Sequence, residues 1–325
     1  MKVMRLIGRL SFLAVAIHLA AWARAGFAQS VREFHRTLPV TVSDPVTLEV
    51  QLSEGELQIA YGRQEQVSIR AIARTAGAKA DNEFFATSLS VEQAGNHLRL
   101  RDLSGKGRVE GESRIVYRID VPYWTEVLSV MGDGKQTITG VMGPVIAATR
   151  KGDIKVCYVS KGVVAKTGLG NLDLEVIGER VEAKTGNGNI SCIRAVQGVS
   201  AETEDGDIVL VVVGPSNATV KTGIGRIEVT GAKGSLLGST VKGDLQVKAM
   251  LYDDWRLSSA SGNIRVELPP ATRFEVDATT NFGEVLIDRD DIEKPSTKVR
   301  YFQQKVNGGG KRIEVRTDSG KIVIR

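Results

Sequence analysis

The chain has 325 residues, of which 42% are hydrophobic and 25% are charged. This balance excludes a disordered chain and allows one large globular domain or two ordinary ones. The formal charge of +5 falls to +1 without residues 1–28, which contain four Lys or Arg residues and no acid. Net charge therefore does not predict a nucleic-acid partner.

Residues 1–28 have the composition of a secretory signal peptide. Lys2, Arg5 and Arg9 form a basic start, an apolar stretch follows, and small residues such as Ala28 offer a cleavage site. A retained membrane anchor is the alternative, less favoured because the apolar stretch is shorter than the ~20 residues that a spanning helix needs. We therefore expect an exported chain, periplasmic, cell-surface or extracellular, with no transmembrane segment after cleavage.

Residues 29–125 contain strand patterns without a strict period. Ser53 to Ile59 resembles one turn of the repeat described next, and the short alternating runs Val67–Ile69 and His97–Leu100 predict further strands. We expect this part to be an irregular N-terminal cap.

From residue 126 onward the chain repeats itself about every eighteen residues. A glycine followed by Asp or Asn and then Ile or Leu marks most units, with spacings of 18 to 21 residues. The marking glycines are Gly134, Gly152, Gly170, Gly188, Gly206, Gly225, Gly243, Gly262 and Gly283.

Other residue types recur at fixed distances from that glycine. Two and four residues after it stand apolar side chains, a spacing that places both on one face of a strand. Glycine suits a tight corner, Asp and Asn bond local backbone groups, and threonine hydroxyls can stack between turns of the chain. The predicted corner ladder comprises Thr167, Thr185, Thr203, Thr222, Gly170, Gly188, Gly206, Asn171, Asn189 and Asp207.

Such short units cannot enclose a core alone, but stacked units bury their inward faces against one another. The sequence therefore predicts an all-β fold, a single-stranded parallel β-solenoid with about 18 residues per rung. The apolar positions do not recur every six residues, as they do in left-handed hexapeptide solenoids, and this favours a right-handed β-helix.

Residues 126–325 form the regular solenoid in this prediction, with a break in the period at about 288–310. The interval from Gly283 to Gly320, the next glycine of the pattern, equals about two rungs. This length allows either a distorted rung or an excursion. The final segment resumes the pattern, and we expect Lys321 and Arg325 to protect an exposed edge of the last strand.

The two cysteines, Cys157 and Cys192, belong to different columns of the repeat. Cys192 occupies an inward column, whereas Cys157 is predicted to face outward two rungs away. Two rungs exceed the Cα separation of about 7 Å that a disulfide allows. We therefore expect no disulfide.

Three segments carry a resemblance to a known family. They are IDVPYWTEVLSVMGDGKQTITGVMGPVIAATRKGDIKV, VELPPATRFEVDATTNFGEVLI and RIEVRTDSGKIVIR. The combination resembles the bacterial putative-adhesin domain family of exported β-strand repeat proteins, over residues 50 to 325. The resemblance implies a β-helical fold and a cell-envelope setting.

No motif in the chain indicates catalysis or a cofactor. His35 and His97 lie outside any metal or nucleophile pattern, and the glycine-rich runs lack the third glycine and the helix of a nucleotide-binding loop. We expect no catalytic residues, no metal and no cofactor. Calcium at the Asp/Asn column or at the acidic run Asp288–Asp291 is a less favoured alternative.

The outward side chains are the better guide to partners. Ile193, Val209 and Val211 are predicted to form an exposed apolar interaction patch, unless the N-terminal segment covers them. Trp255 is expected in the core, and Trp124 is either a cap residue or a binding aromatic. We expect a non-enzymatic, adhesin-like binding or scaffold protein of the envelope, with an envelope protein or glycan as partner. A self-assembling solenoid and a polysaccharide-active β-helix enzyme are the alternatives.

Overall fold

A computed structural model describes residues 29–76, 88–103, 115–293, 295 and 297–325. The predicted signal peptide at residues 1–28 lies outside the described residues. Within the described part the regular elements are 26 strands, joined in one mostly parallel sheet that coils into a solenoid. The predicted all-β solenoid is confirmed.

The N-terminal strands are β1 (Gln29–Pro39), β2 (Val46–Tyr61), β3 (Gln66–Ala76), β4 (Leu89–Ala94), β5 (His97–Asp102), β6 (Val116–Val121) and β7 (Thr125–Thr139). The central strands are β8 (Val145–Lys151), β9 (Ile154–Val159), β10 (Val163–Leu169), β11 (Leu172–Ile177), β12 (Val181–Asn187), β13 (Ile190–Ala195), β14 (Val199–Asp205), β15 (Ile208–Val212), β16 (Ala218–Ile224), β17 (Ile227–Thr230), β18 (Leu236–Lys242), β19 (Leu245–Lys248), β20 (Trp255–Ser261) and β21 (Ile264–Glu267). The C-terminal strands are β22 (Phe274–Phe282), β23 (Val285–Ile287), β24 (Tyr301–Val306), β25 (Lys311–Ser319) and β26 (Ile322–Ile324).

Each central rung contributes one strand to each of two stacks. Even-numbered strands from β8 to β20 pair in parallel in the first stack, and odd-numbered strands from β9 to β21 pair in parallel in the second. The register advances by eighteen residues, as in Leu172 opposite Ile190. Inward side chains of both stacks, such as Ala165 and Leu174, are fully buried. The apolar alternation thus builds one continuous core along the axis.

The glycine corner joins the two stacks. Gly170 and Gly188 have φ values of +150° and +153°, a region that side chains rarely adopt. A Cβ on Gly188 would also collide with the carbonyl oxygen of Gly170 in the preceding rung. Glycine is therefore required there for close stacking as well as for its backbone conformation.

The threonine and Asp/Asn columns bond one rung to the next, whereas the sequence had predicted local backbone bonds for Asp and Asn. The Thr185 Oγ1 donates to the carbonyl oxygen of Gly170 at 2.9 Å, and Thr167, Thr203 and Thr222 repeat the bond with the preceding glycine. The Asn171 Oδ1 accepts from the Asn189 amide at 2.8 Å, and the Asn189 Oδ1 accepts from the Asp207 amide at 2.8 Å. Each corner side chain thus satisfies a backbone group of its neighbour.

A second corner follows the strands of the second stack. Tyr158, Val176 and Arg194 occupy it in successive rungs with φ values of 58°, 56° and 61°, and Gly140 and Gly231 occupy it elsewhere with 74° and 76°. This left-handed corner turns the chain into a short third side, which returns to the first stack.

The N-terminal end is closed by antiparallel strands. β2 lies against β7 over nearly its full length, and β5 and β6 pair in parallel with the two halves of β2. β4 and β3 then pair antiparallel with β5 and β6, and β1 pairs antiparallel with β3. The rung predicted around Gly55 and the strands predicted around Val67 and His97 are confirmed.

The C-terminal order departs from the prediction. β25 and β26 lie between the rung of β20 and β21 and the rung of β22 and β23, so Gly320 separates Gly262 from Gly283 in the glycine ladder. β24 pairs antiparallel with β22 at the outside. The period break is therefore an excursion. The prediction that Lys321 and Arg325 protect an exposed edge is wrong, because β26 is paired on both sides.

Buried Arg289 fastens this excursion. It forms a two-pronged ion pair with Asp291, at 2.7 and 2.6 Å, and donates to the carbonyl oxygens of Leu268 and Arg325 at 3.1 Å. Hydrogen bonds from Arg289, and secondarily from Asn307, lower the pKa of Asp291 to about 2. The acidic run thus contains a structural clamp rather than a solvated loop.

Both cysteines are free and buried. The register places two rungs between them, as predicted, because Val156 and Cys192 lie on opposite sides of Leu174. Burial raises the pKa of Cys192 to about 12 and also raises the pKa of Cys157. Cys157 lies in the outward column, between Thr139 and Glu175, as predicted, but it is only 4% exposed.

Candidate binding surface

Three aromatic residues form a cluster at the left-handed corner near the N-terminal end, which we call the aromatic corner: Tyr61, Tyr123 and Trp124. The ring centroids of Tyr61 and Tyr123 are 6.0 Å apart, and those of Tyr123 and Trp124 are 5.1 Å apart. The rings are tilted by 56° and 46° in these pairs. Such tilted pairs attract one another through their ring quadrupoles beyond the area that they bury.

The chain holds these rings on rigid backbone. Tyr61 ends β2, and Tyr123 and Trp124 form the turn between β6 and β7. Within this turn the Thr125 Oγ1 donates to the Pro122 carbonyl oxygen at 2.6 Å. The Tyr123 carbonyl accepts from the Met142 amide at 2.6 Å, and the Trp124 carbonyl accepts from the Val46 amide at 3.2 Å. The turn is thus bonded to both neighbouring rungs.

The aromatic corner surrounds an open depression of about 540 Å³, whose remaining lining residues are Gly140 and Met142. Gly140 lies beside Tyr61, and its missing side chain keeps the floor of the depression free. Tyr158 follows Gly140 at the same corner, one rung along, and is 56% exposed. A row of aromatic side chains therefore continues along the solenoid axis.

The aromatic corner carries polar groups but no charge. No Asp, Glu, Lys, Arg or His lines the depression. Within the part of the chain that the structure describes, no hydrogen bond uses the hydroxyls of Tyr61 and Tyr123 or the Nε1 of Trp124. Tyr61 and Trp124 are 54% and 47% exposed. The surface therefore offers ring faces together with unused hydrogen-bonding groups.

The predicted patch of Ile193, Val209 and Val211 lies on the outer face of the second stack. Ile193 pairs with Val211 in the next rung. Val209 pairs with Ser191 and lies two residues before Val211 on the same strand face. Val209 is exposed, whereas the other two are half-buried. The described N-terminal strands pair at the far end of the solenoid and do not cover the patch. The residues thus adjoin as predicted, and an interaction there stays a prediction.

The first stack carries a second apolar area that sequence reasoning missed. Leu128, Ile146 and Val164 pair in sequence across three rungs, with Val130 and Ala148 beside them. Val130 and Ile146 are 45% and 43% exposed. The sequence did contain a signal for this area. These positions precede the corner glycine by six and four residues, where most other rungs carry charged or polar side chains.

Several other outward residues form surface bonds. Lys184 pairs with Glu202 at 3.3 Å, and Lys166 pairs with Glu182 at 2.7 Å. His97 contacts Glu49 at 3.0 Å, and His35 contacts Ser68 at 3.3 Å. Trp255 is buried, and its Nε1 donates to the Gly234 carbonyl at 3.2 Å, which confirms its place in the core.

In the Asp/Asn column, the side-chain oxygens that calcium would need accept hydrogen bonds from backbone amides. No group of three His, Cys, Asp or Glu side chains in the described residues is arranged to hold a metal ion. The expectations of no metal and no cofactor stay predictions. Among the residues that the structure covers, no helix has the length and hydropathy needed to span a membrane.

The solved structures that match this chain include three bacterial proteins. A putative cell adhesion protein from Clostridium sporogenes is 12% identical, with 91% of this chain and 99% of that chain covered and a TM-score of 0.27. A putative adhesin from Bacteroides fragilis is 9% identical, with 90% and 97% covered and a TM-score of 0.35. A putative adhesin from Parabacteroides merdae is 12% identical, with 90% and 96% covered and a TM-score of 0.31. Similarity at this level carries no functional argument.

Comparison with curated proteins finds no match. The family model described as Toastrack DUF4097 matches residues 48–325, from the second strand to the C-terminal residue. This span includes the glycine ladder and the inserted C-terminal rung. The chain therefore belongs to the Toastrack DUF4097 family.

Proposed function

We propose that the protein is a non-enzymatic, adhesin-like binding protein of the cell envelope, and that its aromatic corner binds a glycan. One observation carries the proposal: Tyr61, Tyr123 and Trp124 surround an uncharged depression on rigid backbone, with their polar groups unused. The export of the chain rests on the composition of residues 1–28, and the lack of catalysis rests on the absence of a recognisable motif in the sequence.

A sugar ring matches the aromatic corner in shape and chemistry. The ring presents C–H groups on one face, which the negative face of an aromatic ring attracts, and hydroxyls around its edge. The tyrosine hydroxyls and the Trp124 Nε1 can bond those hydroxyls. The depression between the tilted rings is shallow and open, and a sugar ring can reach both the ring faces and the polar groups there.

A cationic ligand fits less well. Aromatic residues do attract cations, but the lining of the depression contains no carboxylate to complement the charge. A small depression on a long, rigid scaffold instead suits repeated weak contacts along a polymer, where several bound sugars add their contributions. We therefore place the glycan along the solenoid axis, from Trp124 toward Tyr158.

Binding to purified envelope polysaccharides by affinity electrophoresis tests the proposal. We expect the protein to be retarded by at least one polysaccharide, and the W124A and Y61A variants to migrate freely. V241S is the matched control, because Val241 is exposed on β18, far from the aromatic corner, and it should be retarded like the wild type. Failure of every envelope polysaccharide to retard the protein would refute the glycan proposal.

The same mixtures test the enzymatic alternative. Reducing ends and polymer length, followed for hours, should stay constant. If the polymer were shortened, or if unsaturated sugar products appeared, the protein would be a polysaccharide-active enzyme instead.

Self-assembly is the other alternative. The ends of the solenoid are closed by antiparallel strands, β1 and β4 at one end and β24 at the other, which interrupt the parallel ladder that end-to-end stacking would continue. We expect a monomer in light scattering. Fibres or an open series of oligomers would favour the self-assembling alternative.

A further inference from the structure

The third side changes at the rung between Gly206 and Gly225, whereas the three rungs before it turn at Tyr158, Val176 and Arg194. The register shifts between Ile193 and Ala195, where Ala195 pairs with Val212, so this rung lacks the left-handed corner residue. The chain instead carries extra residues in the turn from β15 to β16, around Pro215 and Ser216. A depression of about 880 Å³ lies beside this turn.

Cations line this depression without any acid. Arg180 and Lys233 come from the rungs on either side of the turn. The other lining residues are apolar, amide or hydroxyl side chains and glycines: Val196, Gln197, Gly198, Val199, Ser200, Pro215, Ser216, Asn217, Thr219 and Gly234. The lining therefore carries two positive charges and no negative one.

These two cations differ from their neighbours on the same scaffold. Lys161 pairs with Glu179 at 2.9 Å, and Lys166 pairs with Glu182 at 2.7 Å. Within the described residues, neither Arg180 nor Lys233 forms an ion pair. The Lys233 Nζ has only a long contact of 3.5 Å with the Val213 carbonyl oxygen. The hydrogen bond from Lys166, and in smaller part the charge of Arg180, lower the pKa of Glu182. Glu182 thus lies close to Arg180 but is bonded to Lys166, so Arg180 and Lys233 can both receive an anionic ligand.

Neutral donors surround the same space. The Ser216 Oγ is shielded from solvent and has no hydrogen-bond partner. A shielded polar group without a partner is uncommon in proteins and costs stability. The Asn217 Oδ1 accepts from the Ser235 amide at 3.0 Å, which leaves the Asn217 Nδ2 as a donor. Ser200 and Thr219 add hydroxyls on the side of the first stack.

We propose that this depression binds the phosphate group of a small polyol phosphate. A guanidinium, an ammonium and several neutral donors exceed what the two oxygens of a carboxylate can use, whereas a phosphate offers more acceptors. The volume is in the range of small-molecule sites and leaves room for the polyol beside the phosphate. Ser216 lines the depression, and its unpartnered hydroxyl is a further candidate donor. This site is independent of the aromatic corner.

Isothermal titration calorimetry of the purified protein with glycerol 3-phosphate tests the site. We expect saturable binding, with glycerol inactive and glycerate weaker. The R180Q and K233Q variants should each bind about 10-fold more weakly or worse, because each loses a charge-assisted hydrogen bond. K221Q is the matched control, because Lys221 is exposed on β16 outside the depression, and it should bind like the wild type.

The S216A variant separates the ligand site from a structural role. Removing an unpartnered hydroxyl should leave the Tm of the free protein unchanged or higher, while binding weakens. Vesicles of phosphatidylglycerol, compared with phosphatidylcholine, distinguish a lipid headgroup from a soluble ester, and dependence on Arg180 and Lys233 in either form supports the phosphate site. Absence of binding by the wild type to both forms, binding of glycerate as tight as that of glycerol 3-phosphate, or unchanged binding by R180Q and K233Q would overturn it.

Discussion

The Thr317 Oγ1 donates a hydrogen bond to the Gly262 carbonyl oxygen, 2.9 Å away and 55 residues earlier in the chain. The same bond joins successive rungs elsewhere at a separation of 15 or 16 residues, as between Thr185 and Gly170. The C-terminal segment thus occupies the position that the next rung in sequence would otherwise take. The last strand of the chain is an interior strand of the solenoid.

This placement predicts strong protection of the C-terminal strand in amide hydrogen exchange. Chain ends ordinarily fray, but β26 is paired with both β21 and β23. The amides of Ile322–Ile324 should exchange at least ~100-fold more slowly than the outward amides of the edge strand β24. Equal exchange rates in β26 and β24 would contradict the inserted rung.

A glycine-to-alanine pair tests the corner ladder. G188A forces a Cβ into the Gly170 carbonyl at a φ of +153°, and it should lower the free energy of unfolding by about 3 kcal/mol or more. G198A is the control, since a Cβ there would make only an ordinary contact of 3.6 Å with Asn217. Denaturant unfolding measures both variants. A similar loss in the two would mean that the corner does not require glycine.

The buried threonine column is tested by removing one hydroxyl. T185V keeps the shape of the side chain but leaves the Gly170 carbonyl without its donor, and it should cost about 1 kcal/mol. T230V, on the outer face of β17, should change stability by less than about 0.5 kcal/mol. If T185V is as stable as the wild type, the column contributes packing rather than hydrogen bonds.

The Arg289–Asp291 clamp predicts a loss of stability in acid. Hydrogen bonds, mainly from Arg289, lower the pKa of Asp291 from 3.8 to about 2 in the folded chain. Because the folded pKa lies below the unfolded one, the stabilisation is complete above pH 3.8 and is lost as the pH falls toward 2. After allowance for solvent screening, we expect the lowered pKa of Asp291 to contribute about 1 kcal/mol to the free energy of unfolding.

The D291N variant isolates this contribution. At neutral pH it should be less stable than the wild type, because it leaves the buried Arg289 charge without its partner. The difference between the two proteins should shrink as the pH is lowered through the range from 4 to 2. A difference that stays constant over that range would show that Asp291 does not titrate as described.

Local chemistry explains which features the sequence could predict. The corner columns could be predicted because each rung repeats the same requirement. Each needs a glycine for close approach and a hydroxyl that donates to the glycine carbonyl of the preceding rung. The order of the C-terminal rungs was not predictable, since β22 and β25 carry the same inward pattern and either can follow β20. The outward column of Cys157 was predictable from the repeat, but its burial was not, because exposure also depends on the side chains around it.

The candidate binding sites also combine features that the sequence could predict with features that it could not. Trp124 stood outside the columns and was already a candidate for binding, but its contact with Tyr123 and the proximity of Tyr61 depend on how β2 lies against β7. The depression at Ser216 arises from a single irregular rung. The sequence repeat reveals the features that the rungs share, whereas the candidate binding surfaces form where one rung differs from its neighbours.

Fluorescence of Trp124 during titration with an envelope polysaccharide tests the proposed function most directly. Trp124 is exposed and Trp255 is buried, so the spectrum of the wild type minus that of W124F reports the aromatic corner. We predict a saturable change in intensity with a shift to shorter wavelength, as a sugar displaces water from the ring. A difference spectrum that stays constant with every polysaccharide tested, or a ligand response that persists in W124F, would contradict glycan binding at this corner.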